Sequence, residues 1–313
     1  MKDVKMIRLV RKSAVLAALL GLTSFAPRNA GAQADGQKTF SSSKEAVTAL
    51  IQAVRDGNTS DLRAILGSGS EDIITSSDTV ADKTARDHFV ARYDLKHSLA
   101  ESAPGQLTLN IGKDSWPFPI PLIHANDKWY WDGAAGREEI LYRRIGANEL
   151  AAIGVCKGAV AAQRDYAAAG HDGLPAGIYA QRLMSEPGKQ NGLYWAVNDG
   201  EIPSPAGPLL AQASYEGYGG SAKGSPYHGY YYRMLNGQGA HAKGGAKNYI
   251  ADGEMTGGFA FVAYPADYRS SGVMTFLVNE NGTIYQKDLG EKTADLAQQM
   301  TEYNPDKSWR VVK

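Results

Sequence analysis

The sequence predicts an α+β protein of two modules, each a set of helices packed on a bent or twisted antiparallel sheet. Three observations predict it. Apolar residues recur at helical spacing in residues 42–57, the period switches to strict alternation near residue 106, and a long Ala-rich helical stretch beyond residue 136 leads into a second group of strand-like runs. Of the 313 residues 43% are apolar and 21% charged, the balance of a folded chain rather than a disordered or fibrous one.

The N-terminus comes first. Five basic side chains in residues 1–12 precede the apolar run 14–22, and the small-residue site Ala30-Gly31-Ala32 follows. A positive n-region, a short h-region and an A-x-A site describe a secretory signal peptide over residues 1–32. The run is too short to span a ~30 Å hydrocarbon core, and no other stretch reads as apolar enough to do so. The expected product is exported, periplasmic or secreted, with no transmembrane anchor once the signal is removed. A lipid anchor would need a Cys at the cleavage point, and the one Cys of the chain is Cys156.

Removing residues 1–32 takes away six of 33 basic and one of 33 acidic side chains, leaving a net charge of −5. A mildly acidic chain lacks the basic face that phosphate neutralisation requires, so no nucleic-acid partner is expected. One Cys forms no disulfide within the chain, and stability must come from burial. Cys156 lies in a helix-like run of small and apolar residues, where a thiol behaves as a small hydrophobe.

Residues 33–39 read as a linker into the first module, 40–135. Ser42 and Glu45 have the S-x-x-E spacing of a capping box. Val47, Leu50, Ile51 and Val54 follow at helical spacing, and Gly57 supplies a stop. Leu62, Ile65 and Leu66 predict a short second helix, and residues 82–98 a third with Phe89, Val90 and Tyr93 as its apolar face. Residues 106–111 then alternate like a half-buried strand, and the runs 122–124 and 128–131 flank Ala125-Asn126-Asp127, a hairpin turn. Pro117, Pro119 and Pro121 cannot donate ladder hydrogen bonds, which puts their segment at an edge or a bulge. Period two places Trp129 and Trp131 on one face and Tyr130 on the other.

The second module, 136–313, opens with one long helix over residues 137–169, in which Ile140, Leu141, Ile145, Ile153, Val155 and Val160 are interleaved with many Ala. A further helical stretch is predicted around residues 179–184, followed by a Gly/Pro-rich connection. Strands are expected at 229–235, 258–265, 272–279 and 283–287, the last two joined by a turn at Glu280-Asn281-Gly282. A long helix on a four-stranded meander is an α+β layer.

Three resemblances follow from these residues. Helices followed by a meander ending in D-K-W-Y-W-D-G (127–133) look like the nuclear transport factor 2-like cone, whose interior holds a small molecule, catalytic carboxylates or a packed core. The segments R-R-I-G-A-N-E-L-A-A-I (143–153), Y-H-G-Y-Y-Y-R-M-L (227–235) and G-G-F-A-F-V-A-Y-P-A-D-Y-R-S-S-G-V-M-T-F-L-V-N-E-N-G-T-I-Y-Q-K-D-L-G (257–290) resemble the bacterial exported family called domain of unknown function 2950. That resemblance implies an exported bacterial protein and supplies no activity and no catalytic residue. The second half also looks, more distantly, like a type IV pilin or pseudopilin head, without the processing site and hydrophobic stem that would imply filament assembly.

Direct signs of chemistry are few. The chain has no H-E-x-x-H, C-x-x-C, G-x-S-x-G or G-x-x-x-x-G-K-[ST], which removes the usual support for zinc-hydrolase, redox, serine-hydrolase and nucleotide-phosphate readings. His171-Asp172, ahead of Gly173 and Pro175, reads as a turn. No catalytic residue, metal site or cofactor is indicated. If the cone is hollow, Trp116, His124, Trp129 and Trp131 are its candidate ligand-binding lining, with His88 and His97 possible contributors. A second constellation, Tyr215, Tyr218, Tyr227 and Tyr230 in a glycine-rich stretch with His228 and Arg233, is a candidate contact for a protein or cell-envelope polymer partner. The sequence thus favours an exported, non-enzymatic envelope protein acting through recognition surfaces. A periplasmic small-molecule carrier using the cone ranks second, and an uncharacterised periplasmic hydrolase third.

Overall fold

A computed structural model describes residues 36–197, 203–209, 213, 216, 218 and 224–313. The expected signal peptide and Tyr215 lie outside the described residues. The architecture is α+β, with two hydrophobic cores joined by one long helix.

Helix α1 (Ser43–Arg55) starts where the spacing of Ser42 and Glu45 places it. The Ser42 hydroxyl accepts the Glu45 N–H at 3.2 Å. The Glu45 carboxylate reaches back one residue further than a capping box expects, accepting the Ser41 N–H at 3.0 Å and hydroxyl at 2.6 Å. Gly57, at φ +63°, ends the helix. Helix α2 (Thr59–Leu66) is capped by Asn58, and the short α3 (Glu71–Ile74) follows. Helix α4 (Thr79–Leu95) begins on Asp78 and ends before the predicted limit, because the chain turns at Lys96 into a strand that periodicity did not announce.

That strand, β1 (His97–Ala103), pairs antiparallel with β2 (Gln106–Ile111). β2 pairs with the two-residue β3 (Trp116–Pro117) and with β4 (Leu122–Ala125), which pairs with β5 (Lys128–Trp131). Asn126 and Asp127 turn β4 into β5 with φ of +50° and +57°, the pattern of a two-residue hairpin. Helices α1, α2 and α4 pack on this sheet. The first core joins Leu50, Ile51, Leu62, Ile65, Leu109, Ile111, Leu122 and Trp131.

Helix α5 (Gly133–Ala167), roughly 52 Å long at 1.5 Å per residue, carries the chain from the first core to the second. By length and composition it would suffice to cross a membrane, contrary to the sequence expectation that nothing beyond the N-terminal run would. Its many Ala raise its hydropathy, yet its polar side chains bind both modules. Glu149 accepts the N–H groups of Val273 and Met274, each at 3.0 Å, and Asn148 donates to Ser271 O at 2.8 Å.

The second sheet is laid out around a central pair. β6 (Tyr230–Leu235) is followed by four two-residue strands, β7 (Gly237–Gln238), β8 (Lys247–Asn248), β9 (Ile250–Ala251) and β10 (Glu254–Met255). Then come β11 (Ala260–Pro265), β12 (Met274–Asn279), β13 (Ile284–Asp288), helix α6 (Thr293–Gln299), β14 (Glu302–Tyr303) and β15 (Arg310–Val311). The strand order is β15-β13-β12-β11-β6, one strand more than the predicted meander. Every residue of β11 is buried, so both faces of the sheet are covered. On one side Arg233 of β6 donates to the carbonyls of Ala297, Gln298 and Met300 at the C-terminal end of α6, where a cation meets the helix dipole favourably. On the other, Met234 meets Gln163 of α5.

Residues 179–184 are extended rather than helical. Gln163, fully buried, takes both backbone groups of Ala180, accepting its N–H at 3.0 Å and donating to its carbonyl at 2.8 Å, while Tyr179 N–H donates to Met255 O at 2.9 Å. Groups committed to the tertiary structure cannot close i→i−4 bonds.

Candidate functional site

Beside the first core, the packing of its helices against α5 leaves a cleft. Between α1, α2, α3, α4, the turn after β3 and the first half of α5 lies a pocket of about 440 Å³. Close-packed interiors hold few voids larger than a water molecule, and this volume falls among those of small-ligand pockets (~300–1,000 Å³).

Each wall follows from a helical period. On α4 Asp82, Ala85, Arg86 and Phe89 stand at i, i+3, i+4 and i+7; on α5 Ile140, Arg143, Arg144, Ala147 and Asn148 repeat that spacing. Leu50 and Val54 of α1, Leu62 and Leu66 of α2, and Ile73 and Ile74 of α3 complete the apolar lining with Phe118 and Ile120. Ala85, Arg143 and Ala147 are its exposed members and mark the mouth. An aromatic floor joins the two helices: Phe89 lies 5.0 Å from Phe118, Phe118 6.5 Å from Trp116, and the Arg143 guanidinium sits 4.8 Å over the Trp116 ring.

The charged members of the lining divide into two kinds. Asp78 and Asp82 are buried and spend their oxygens on internal donors. Asp78 accepts from Ala81 N–H, Tyr218 Oη and Gly229 N–H at 2.9, 2.7 and 2.8 Å; Asp82 accepts from Ser76 N–H and Oγ at 2.6 and 2.9 Å. Arg144 donates to the carbonyls of Asp72 and Ile73 at 2.6 and 3.2 Å and to Ser270 Oγ at 3.4 Å. Burial pulls the pKa of its guanidinium down, and the carboxylates of Asp82, Asp72 and Asp267 oppose that pull. Arg137 forms a two-pronged ion pair with Asp72 beside it. In contrast, Arg86 bonds to no described residue, and Arg143 uses only Nε, at 2.7 Å from Glu139 Oε1, leaving its terminal nitrogens without a described partner.

Of the four aromatic-lining candidates, Trp116 lines the pocket. Trp131 is fully buried in the core with its indole N–H on Ala46 O at 3.1 Å. Trp129 and His124 stack 4.6 Å apart across the hairpin, where Phe40 forms a bridge to Trp129, and neither reaches the pocket. His88 is exposed, and His97 stacks 3.9 Å from Tyr93. No described histidine lines the pocket. The residues that periodicity did not single out are Arg86, Arg143 and Arg144. Their signal is a cation recurring at i+3 and i+4 on helix faces that are otherwise small or apolar.

Among the tyrosines, Tyr230 is fully buried with its hydroxyl on Met274 O at 2.9 Å. Tyr218 and Tyr227 are half-buried; Tyr218 donates to Asp78 and Tyr227 to Glu216 at 2.9 Å, the carboxylate that also lies 3.0 Å from His228. These hydroxyls hold the segment onto the protein's own body. His171 stacks 4.2 Å from Tyr166, and the Asp172 carboxylate accepts the Gln190 N–H at 2.8 Å, as a structural turn does.

Residues 37–312 match the model of a family described as Protein of unknown function (DUF2950). No curated protein and no solved structure matches the chain.

Proposed function

From the premise that the chain belongs to the DUF2950 family of proteins of unknown function, we propose that it is an exported, non-enzymatic carrier that holds a small apolar molecule in the pocket between the helices of its first module and α5. The observation that carries this reading is the 440 Å³ pocket with a mainly apolar lining and an aromatic floor. Such concave, apolar sites with a few placed polar groups are how small molecules are bound. No described histidine or cysteine reaches it, and its buried carboxylates, Asp78 and Asp82, are occupied by internal donors, which favours a binding site over a reaction centre. Recognition through the tyrosine-rich segment is weakened as a reading, because Tyr218, Tyr227 and Tyr230 already have internal partners.

The test uses N-phenyl-1-naphthylamine, a neutral dye that brightens in apolar surroundings. It should bind the protein and accept excitation from Trp116, so that Trp116→Phe lowers the transfer more than Trp129→Phe does. Ala85→Phe, which puts a ring into the pocket mouth from an exposed helical position, should abolish uptake while leaving the melting temperature near that of the parent. Dye uptake unaffected by Ala85→Phe would place the binding elsewhere and defeat the reading. Export is tested separately by sequencing the N-terminus of the protein from the exported fraction, which should begin just after Ala32.

A further inference from the structure

We infer that the molecule carried is an anionic amphiphile, a free monocarboxylate with an apolar body, and that Arg86 and Arg143 hold its carboxylate at the pocket mouth. This rests on the carrier reading and adds the chemistry of the ligand's head.

The argument begins with which charges are already spent. Every described hydrogen bond of the Asp78 and Asp82 carboxylates runs to an internal donor, so neither is left to receive a cationic head. Arg144 is tied to two α3 carbonyls and to Ser270, and it lies among Asp72, Asp82 and Asp267. The two carboxylates and Arg144 therefore belong to the joint between the modules. Two guanidinium groups remain. Arg86 has no described partner, and Arg143 keeps both terminal nitrogens available while its ring contact with Trp116 and its bond from Nε to Glu139 fix its direction.

The placement of those two groups sets the ligand's shape. Arg86 is one turn from Phe89 on α4, Phe89 touches Phe118, Phe118 neighbours Trp116, and Trp116 lies under Arg143. An aromatic floor thus lies beneath the α4 and α5 faces that carry Arg86 and Arg143, with the aliphatic side chains of α1, α2 and α3 around it. A planar guanidinium with free paired donors matches a carboxylate in two-pronged fashion, and matches an alcohol or an ammonium group poorly or not at all. Taking ~30 Å³ for each water-sized group, the pocket has room for about 15 non-hydrogen atoms, the size of a medium-chain or aryl-alkyl carboxylate.

The experiment displaces N-phenyl-1-naphthylamine from the whole protein with decanoate, decan-1-ol and decylamine, which share one tail and differ in the head. Decanoate is expected to displace the dye at concentrations about tenfold below decan-1-ol, with decylamine weakest; about tenfold corresponds to one good charge-assisted contact. Arg86→Gln and Arg143→Gln should each narrow that gap, and the double variant should erase it while decan-1-ol binding stays as it was. Equal displacement by decanoate and decan-1-ol in the parent protein would overturn the inference while leaving the carrier reading in place, and needs no variant to fold. A gap that survives in a folded double variant would also overturn it. A dye that never enters the parent would overturn the carrier reading and this inference with it.

Discussion

Asp78 Oδ2 accepts the backbone N–H of Gly229 at 2.8 Å across 151 residues of sequence. The same carboxylate caps α4 through Ala81 N–H and takes the Tyr218 hydroxyl, so one buried side chain starts a helix of the first module and anchors the first strand of the second. Gly229, at φ +70°, supplies a conformation in which other residues are strained. Asp78→Ala should lose the cap, about 1 kcal/mol, and leave two inward donors without their acceptor at about 1–3 kcal/mol each. A loss of about 3–7 kcal/mol in urea unfolding is expected, and a change within experimental noise would show the joint to be dispensable.

Glycine to alanine changes within α5 should have opposite signs. At Gly136 a Cβ would stand 2.6 Å from Ile120 Cγ1 and 2.8 Å from Ile120 Cα, whereas at Gly154 nothing lies within 4 Å. Ala is better than Gly in a helix by about 1 kcal/mol, so Gly154→Ala should raise the melting temperature. Gly136→Ala should lower it, since the backbone of Ile120 must move. Two increases would mean that α5 does not approach Ile120 this closely.

Cys156 is fully buried, and burial pushes its thiol up to about 12. The thiolate is the reactive form, so a thiol-specific reagent at mildly alkaline pH should label the protein only as it unfolds, with the labelled fraction following the denaturation curve. Labelling of the native protein in minutes would contradict the packing of α5 on its sheet.

Alkaline titration reports the same core. Burial pushes the Tyr166 phenol up to about 12 and raises Tyr230 and Tyr232 as well. A phenol whose pKa is higher in the folded state stabilises that state fully below its ordinary value near 10. That stabilisation is lost as pH climbs from about 10 through the folded value, because the unfolded chain releases its protons first. Ultraviolet absorbance should therefore show a late phase of phenol ionisation, above about pH 10, that coincides with loss of circular dichroism. A single phase near pH 10 with the fold intact would count against the burial.

Several elements were legible because their cause is local. Ser42 and Glu45, the stop at Gly57, the Asn126-Asp127 hairpin and the alternation of 106–111 each involve neighbours in sequence. β1 escaped notice because almost none of it is buried, so neither face imposes a period; Pro104 with Gly105 at φ +72° is the one local sign of its hairpin. Residues 179–184 had helical composition, but Gln163 claimed their backbone. Of the four aromatics proposed for a lining, Trp116 lies on the pocket, and Trp131 shares its apolar character while being wholly enclosed.

The sequence by itself determined the α+β class, the family and the start and period of most helices and strands, because caps, turns and alternation act within a few residues. Only the tertiary structure decided that a cleft opens between the helices of the first module and α5, that Arg86 and Arg143 line it while Arg144 and Asp78 are consumed in the joint, and that Tyr230 faces inward. Periodicity reports which face of an element is turned from water. Whether the side chains meeting there fill the space depends on volumes contributed by segments from Leu50 to Asn148 that come together only in the fold.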